Sequence, residues 1–387
     1  MSCLWSASSQ TWVQTSAPDA NWHAVTSSAD GSRLVALTTG GPIFYSSDFG
    51  ATWSPAVAPS RNWFAVASSA GGTRLIATTQ EPAYISTNGG ATWTQASNAP
   101  PFTYYLSPVT SSSDGQQLLI GFYDGVHHGG GMARSSNAGQ TWTSGGPAAV
   151  SIAASTDGTH LIAGQGPGPS GFFGTYDISS DGGASWTNTT VPCSLVWGAT
   201  ASSADGRKLV VMSTDGSGYV YTSSDTGLTW QTNNGPSGSW ISVASSADGA
   251  RLVAAQGGCF NPGGAACGGP VYTSTDGGVT WTSNNVPAAF AVASSADGGQ
   301  LVAVVSGGGI WIAQSTLPPR LRITPAGNTV RLSWLVPSTE FVLQESQDLS
   351  GTNWTSILTL PTLNLTKLEN EVSAPLSSKP RFYRLKH

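Results

Sequence analysis

AVTSSADGSRLVA, residues 24–36, is an apolar run, an Asp-Gly pair and a second apolar run. That order of residues is the signature of two antiparallel strands joined by a tight turn. The chain repeats it seven times. The other copies are AVASSAGGTRLIA (65–77), PVTSSSDGQQLLI (108–120), SIAASTDGTHLIA (151–163), ATASSADGRKLVV (199–211), SVASSADGARLVA (242–254) and AVASSADGGQLVA (291–303). Gly-Gly replaces Asp-Gly in the second copy. A third apolar stretch follows several hairpins, as IFYSS, AYIST, YVYTSS or VYTST.

A second motif comes next. SSDFGATW (46–53) returns as STNGGATW (86–93), SSNAGQTW (135–142), SSDGGASW (179–186), SSDTGLTW (223–230) and STDGGVTW (274–281). A fourth strand starts at each Trp. Four strands per repeat, seven times over, predict a seven-bladed β-propeller over residues 1–316. The seventh repeat ends at GIWIAQS (309–315) without the aspartate motif, whereas SSQTWVQTSAP (8–18) matches ATWTQASNAP (91–100). The N-terminal strand is therefore expected to complete the last blade and hide the edges that an open ring would expose.

The pattern S-x-D-x-G-x-T-W resembles the Asp-box (BNR) repeat of the sialidase-like propeller superfamily. Its Asp, or Asn88 and Asn137 in two copies, needs only to accept hydrogen bonds across a turn. Gly50 and its equivalents permit positive φ, and Trp53, Trp93, Trp142, Trp186, Trp230 and Trp281 supply large rings to pack between blades. The resemblance also implies that the motif lies away from the ligand face. Residues 317–387 alternate apolar and polar positions like a small β-sandwich. They resemble the short C-terminal β modules that bacteria append to secreted or surface propellers. Their eight cations and five acids give +3, against seven cations and fifteen acids, or −8, for residues 1–316.

Only 9% of residues are charged, the net charge is −5, and no Lys/Arg run occurs, so nucleic acid and anionic membranes are poor partners on sequence grounds. No apolar run reaches the roughly 18 residues of a membrane span. MSCLWSASSQ does not read as a secretory signal, and a leader is expected to have been removed. Cys259 and Cys267 share one Gly-rich stretch, GGCFNPGGAACGG (257–269), where a local disulfide is expected. That pairing would suit a bacterial secreted, periplasmic or cell-surface protein. A monomer is expected.

Function is sought in what does not repeat. Asp19, Glu81, Asp124, Asp177 and Asp215 are the propeller acids outside both motifs, and Arg61 and Arg134 the corresponding cations. Asp19, Arg61, Glu81 and Asp124 fall on the face opposite the Asp-Gly turns, with His23, Tyr123, His127 and His128. Trp22, Trp63, Trp197 and Trp240 share one position at the entry to the innermost strand, where they either pack neighbouring blades together or ring the channel mouth as ligand-binding faces. The first reading is a propeller that binds, and potentially hydrolyses, a glycan or similar neutral polar ligand. Glu81 and Asp124 would be its acid pair, and a sialidase is disfavoured because the arginine cluster that resemblance demands is missing. The second is a non-sugar hydrolase or lyase using His127 and His128. No cofactor is expected, although a divalent metal could serve this second reading. The third is a non-catalytic binding or assembly propeller, as in photosystem assembly factors that share Asp boxes.

Overall fold

The computed structural model describes residues 11–79, 83–99, 108–123, 130–165, 175–189, 191, 198–259, 267–314, 321–335, 341–348, 353–364, 369–377 and 380–386. The described residues form strands and turns without a helix, arranged as antiparallel sheets in the manner of a β-propeller. In the first sheet Ala20–Ser27, Leu34–Thr38, Ile43–Ser46 and Ser54–Pro55 lie side by side in chain order. Five more sheets repeat that order, with inner strands Trp63–Ser68, Val109–Ser111, Ala149–Ala154, Thr200–Ser202 and Trp240–Ser245.

The next sheet takes Ala291–Ser294, Gln300–Val304 and Ile310–Gln314 from late in the chain and Trp12–Gln14 from its start. Trp12 pairs with Ala313 and Gln14 with Trp311, in antiparallel register. This exchange is the one expected from the matching N-terminal sequence.

Position within a sheet explains strand composition. Second strands are covered on both faces by neighbouring sheets, so LVALT (34–38), LIATT (75–79) and QLVAV (300–304) are buried throughout. They read as continuous small or branched residues rather than as an alternation. Outer strands such as Ser54–Pro55 and Thr94–Gln95 are exposed and only two residues long. Short exposed edges limit unwanted strand pairing. Between consecutive sheets lie separate apolar clusters, for example Val35, Leu37, Trp63 and Leu75 between the first two. Another, with Trp22, Leu34, Val302 and Ile310, joins the last sheet to the first.

The hairpin turns add a second tie. The amide of Ala29 donates to Ala70 O, and the relay continues through Ser113, Thr156, Ala204, Ala247 and Ala296 back to Ala29 O. Each hydrogen bond crosses from one sheet to its neighbour, and the cycle returns to its starting residue. Gly31, at φ 73°, makes the tight turn possible; a Cβ there would also lie 2.7 Å from Gln300 Cβ of the adjoining sheet.

Residues 322–386 contribute two further sheets. One is Arg322–Ala326, Thr329–Leu335, Glu369–Pro375 and Thr362–Asn364; the other is Thr355–Ser356, Val342–Ser346 and Phe382–Lys386. Their shared core contains Leu332, Trp334, Leu343 and Val372.

Candidate functional site

The aspartate motif is occupied by its own turn. Asp48 Oδ1 accepts from Ser46 Oγ at 2.7 Å and Thr52 N at 2.9 Å, while Gly50 N donates to Ser46 Oγ at 3.0 Å. Trp53 Nε1 then donates to Gly50 O at 3.1 Å. Asn88 reproduces the arrangement: its Oδ1 accepts from Ser86 Oγ and Thr92 N, both at 3.0 Å, and its Nδ2 donates to Thr92 Oγ1. The Thr52 hydroxyl and then its amide hold the Asp48 carboxyl below its usual value. The Ser185 hydroxyl and amide hold Asp181 down to about 2, as those of Thr229 do Asp225. Carboxylates so committed are poor proton carriers near neutral pH, which leaves them a structural role.

The channel end beside the Asp-Gly turns is also self-satisfied. A cavity of about 170 Å³ is lined there by Ser27, Ser68, Ser111, Ser202, Ser245 and Ser294, with alanines between. Each of these hydroxyls donates to the carbonyl of the following residue at 2.9–3.1 Å.

The opposite end, where inner strands begin, is built differently. In four sheets the first two strands slip by one residue between Trp22 and Ala24, Trp63 and Ala65, Ala149 and Ser151, or Trp240 and Ser242. The extra residue of each bulge is His23, Phe64, Val150 or Ile241. A bulge leaves one residue outside the ladder and re-aims its side chain. Phe290 holds the corresponding place in the last sheet, just before Ala291–Ser294, with its amide on Val304 O at 2.8 Å. The His23 ring lies 4.8 Å from Phe290 and 6.2 Å from Phe64, centroid to centroid, bridging three consecutive sheets. Burial in this apolar setting lowers the His23 pKa from 6.5 to about 4, so the ring is neutral at pH 7. The bulge positions thus form an apolar collar with one neutral imidazole in it.

The same slip decides between the two expectations for the tryptophans, and it corrects their assignment as ligand-binding residues. Trp22, Trp63 and Trp240 are 0%, 1% and 0% exposed and cannot stack on a ligand. They pack edge-on against Phe44, Tyr84 and Tyr272, at 5.2–5.4 Å between centroids. Trp63 Nε1 donates to Gly41 O and Trp240 Nε1 to Gly218 O, both at 3.2 Å, in the second-to-third-strand loop of the preceding sheet. These rings fasten sheets together, while the residue after each of them belongs to the collar.

Asp19 and Arg61 are exposed near the starts of inner strands. Tyr123 ends the strand Leu118–Tyr123 opposite Gly130, with its side chain outside the described residues. Glu81, Asp124, His127, His128 and Trp197 also lie outside them. Cys259 and Cys267, the expected disulfide pair, are direct register partners across two strands, and their side chains lie outside the described residues. Among described residues no cluster of three or more His, Cys, Asp or Glu could hold a metal ion. Asp177 is buried, hydrogen-bonded by Gln165 Nε2 and, at 3.4 Å, by Asn188 Nδ2. Asp215 closes its own turn through Ser213 Oγ and Ser217 N, both at 2.9 Å.

No protein-family model and no curated protein matches the sequence. In structure, the chain is similar to one solved as "YCF48 bound to D1 peptide", at 16% identity and TM-score 0.57, over 80% of this chain and 98% of that one. It is similar also to YCF48 from Cyanidioschyzon merolae, at 16% identity and TM-score 0.58, over 78% and 98%. Likeness at this identity speaks to architecture alone: the chain has the β-propeller fold that these YCF48 structures share.

Proposed function

We propose that the protein is a non-catalytic binding propeller whose collar receives an apolar segment of a partner polypeptide. The observation that carries this reading is the repeated bulge, which presents His23, Phe64, Val150 and Ile241 at one end of the channel, with Phe290 alongside. Apolar side chains set around an opening gain free energy by covering one another's exposed surface with a ligand. A neutral imidazole adds a hydrogen-bonding group without bringing charge. The fold likeness to a YCF48 structure that holds a D1 peptide supports the same class of ligand. The glycan reading has lost its aromatic platform, since three of its four tryptophans are interior.

The sheets of residues 12–314 are taken as seven blades of one ring, shut by the N-terminal strand and pinned by Asp-box turns of the sialidase-like kind. Residues 317–387 are taken as a separate β-sandwich-like module. Work outside the cytoplasm is part of the proposal, supported by the facing register of Cys259 and Cys267.

To test the function, the immobilised full chain is offered a displayed random-peptide library and, in parallel, a glycan array. Selected peptides should be rich in apolar residues and bind about tenfold more weakly to Phe64→Ser and Phe290→Ser proteins. Enrichment of glycans alone, or turnover of any of them, would replace this reading with the carbohydrate one.

A further inference from the structure

The three-stranded sheet near the C-terminus has an outward face that combines exposed aliphatic side chains with cations. Ser356 pairs with Gln344, and Gln344 with Arg384, so these three form one row across the sheet. Continuing the register, with Ile357 N on Leu343 O at 2.9 Å, puts Leu358, Val342 and Lys386 in the next row. Leu358 is 91% exposed and Val342 47%. Leu360, two residues further on, is 86% exposed. Neither row contains an acid.

One cation of this face, on the edge strand Phe382–Lys386, is held in place by neutral groups. Arg384 stacks on the Trp354 ring, its central carbon 4.2 Å from the ring centroid. Its Nε and Nη2 donate to Gln344 Oε1 at 3.0 and 2.9 Å. Among the described residues Arg384 makes no ion pair, so its charge is oriented by neutral groups. By contrast, Arg322, Arg331 and Arg381 in the same module pair with Glu369, Glu371 and Glu345.

We propose that this face docks the protein on an anionic lipid surface, with Leu358 and Leu360 entering the interface and Arg384 and Lys386 meeting headgroup phosphates. Aliphatic side chains beside cations and a tryptophan suit the boundary between headgroups and acyl chains. The guanidinium of Arg384 covers one face of Trp354 and removes that face as a sugar platform. No run of Lys or Arg announces such a site, because the face is assembled from residues 342–344, 354–360 and 384–386.

The test is cosedimentation of the full chain with vesicles of phosphatidylcholine, with and without one quarter phosphatidylglycerol. Binding should require phosphatidylglycerol, weaken as salt screens the cations, and fall about tenfold in the doubly substituted Leu358→Ser/Leu360→Ser protein. Arg384→Gln and Lys386→Gln should each weaken it about fivefold. The four side chains are at the surface, and unchanged melting of each variant would verify intact folding. Several results would overturn the proposal: no binding to the anionic vesicles, binding that the leucine pair does not affect, or binding to an acidic polysaccharide in place of vesicles. Self-association abolished by the leucine substitutions would also overturn it, by making the face an interface between copies.

Discussion

His23 shows how one residue can report on its surroundings. Its folded pKa of about 4 lies below the ordinary 6.5 because burial between apolar neighbours penalises the charged ring. The unfolded chain therefore binds more protons between those two values. The contribution of neutral His23 to stability is complete above pH 6.5 and is lost as pH falls through 4. Up to about 3 kcal/mol is at stake. His23→Phe, which copies its collar neighbours Phe64 and Phe290, should remove that part of the acid destabilisation. Denaturant titrations from pH 7 to pH 4 would show a flatter profile for the variant; parallel profiles would contradict this account.

Backbone strain is likewise a single-residue matter. Gly89, Gly182 and Gly277 follow the acceptor in three copies of the aspartate motif, at φ near 70°. Phe49, Ala138 and Thr226 hold the same place in the other three, at φ 61°, 54° and 62°. A β-branched residue is costly there. Thr226→Gly should stabilise the protein by about 1 kcal/mol, read as a raised denaturation midpoint. A lower midpoint would show that the Thr226 hydroxyl, which donates to Asp225 O at 2.6 Å, outweighs the strain.

Among elements, the inner strand does two tasks because of its bulge. Side chains alternate along a strand, and a one-residue slip exchanges the faces. Trp63 thereby points into the packing between sheets while Phe64 joins the collar. Trp63→Ala should cost about 3–5 kcal/mol in unfolding free energy, and Trp63→Phe much less, since it keeps most of the buried area and loses the hydrogen bond to Gly41 O. A small effect of the alanine change would mean that the ring is not a fastener.

The hairpins, the aspartate turns and the closing strand were legible in sequence because each is a local pattern that recurs. The common position of Trp22, Trp63 and Trp240 was legible too. Their direction was not, because it depends on how many residues the second strand opposes to them. The residue after each Trp gave no repeated letter: His, Phe and Ile share no chemistry beyond apolar bulk at neutral pH. The cationic face near the C-terminus was hidden for a different reason, since strand pairing brings together three separate segments.

At the scale of the whole molecule, the strand Trp12–Gln14 joins the two ends of residues 12–314. It buries Trp12 with Val253, Val271 and Leu301, and its continuation places Thr15 N on Ile310 O at 2.8 Å. The loop strand Ser306–Gly308 makes a second seam by pairing with Ala20 and Asn21. Removing residues 1–18 should therefore abolish cooperative melting of the propeller rather than trim its edge. A truncated chain that melts at the full-length temperature would show that the ring closes without its first strand.

The collar is the proposed place where a partner binds. The most direct measurement is hydrogen–deuterium exchange of the full chain with and without a peptide taken from the library selection. Protection concentrated in residues 22–25, 63–66 and 290–292, with the Asp-Gly turns unchanged, is the predicted result. Protection confined to the turn end or to the outer strands, leaving these three segments unaffected, would contradict it.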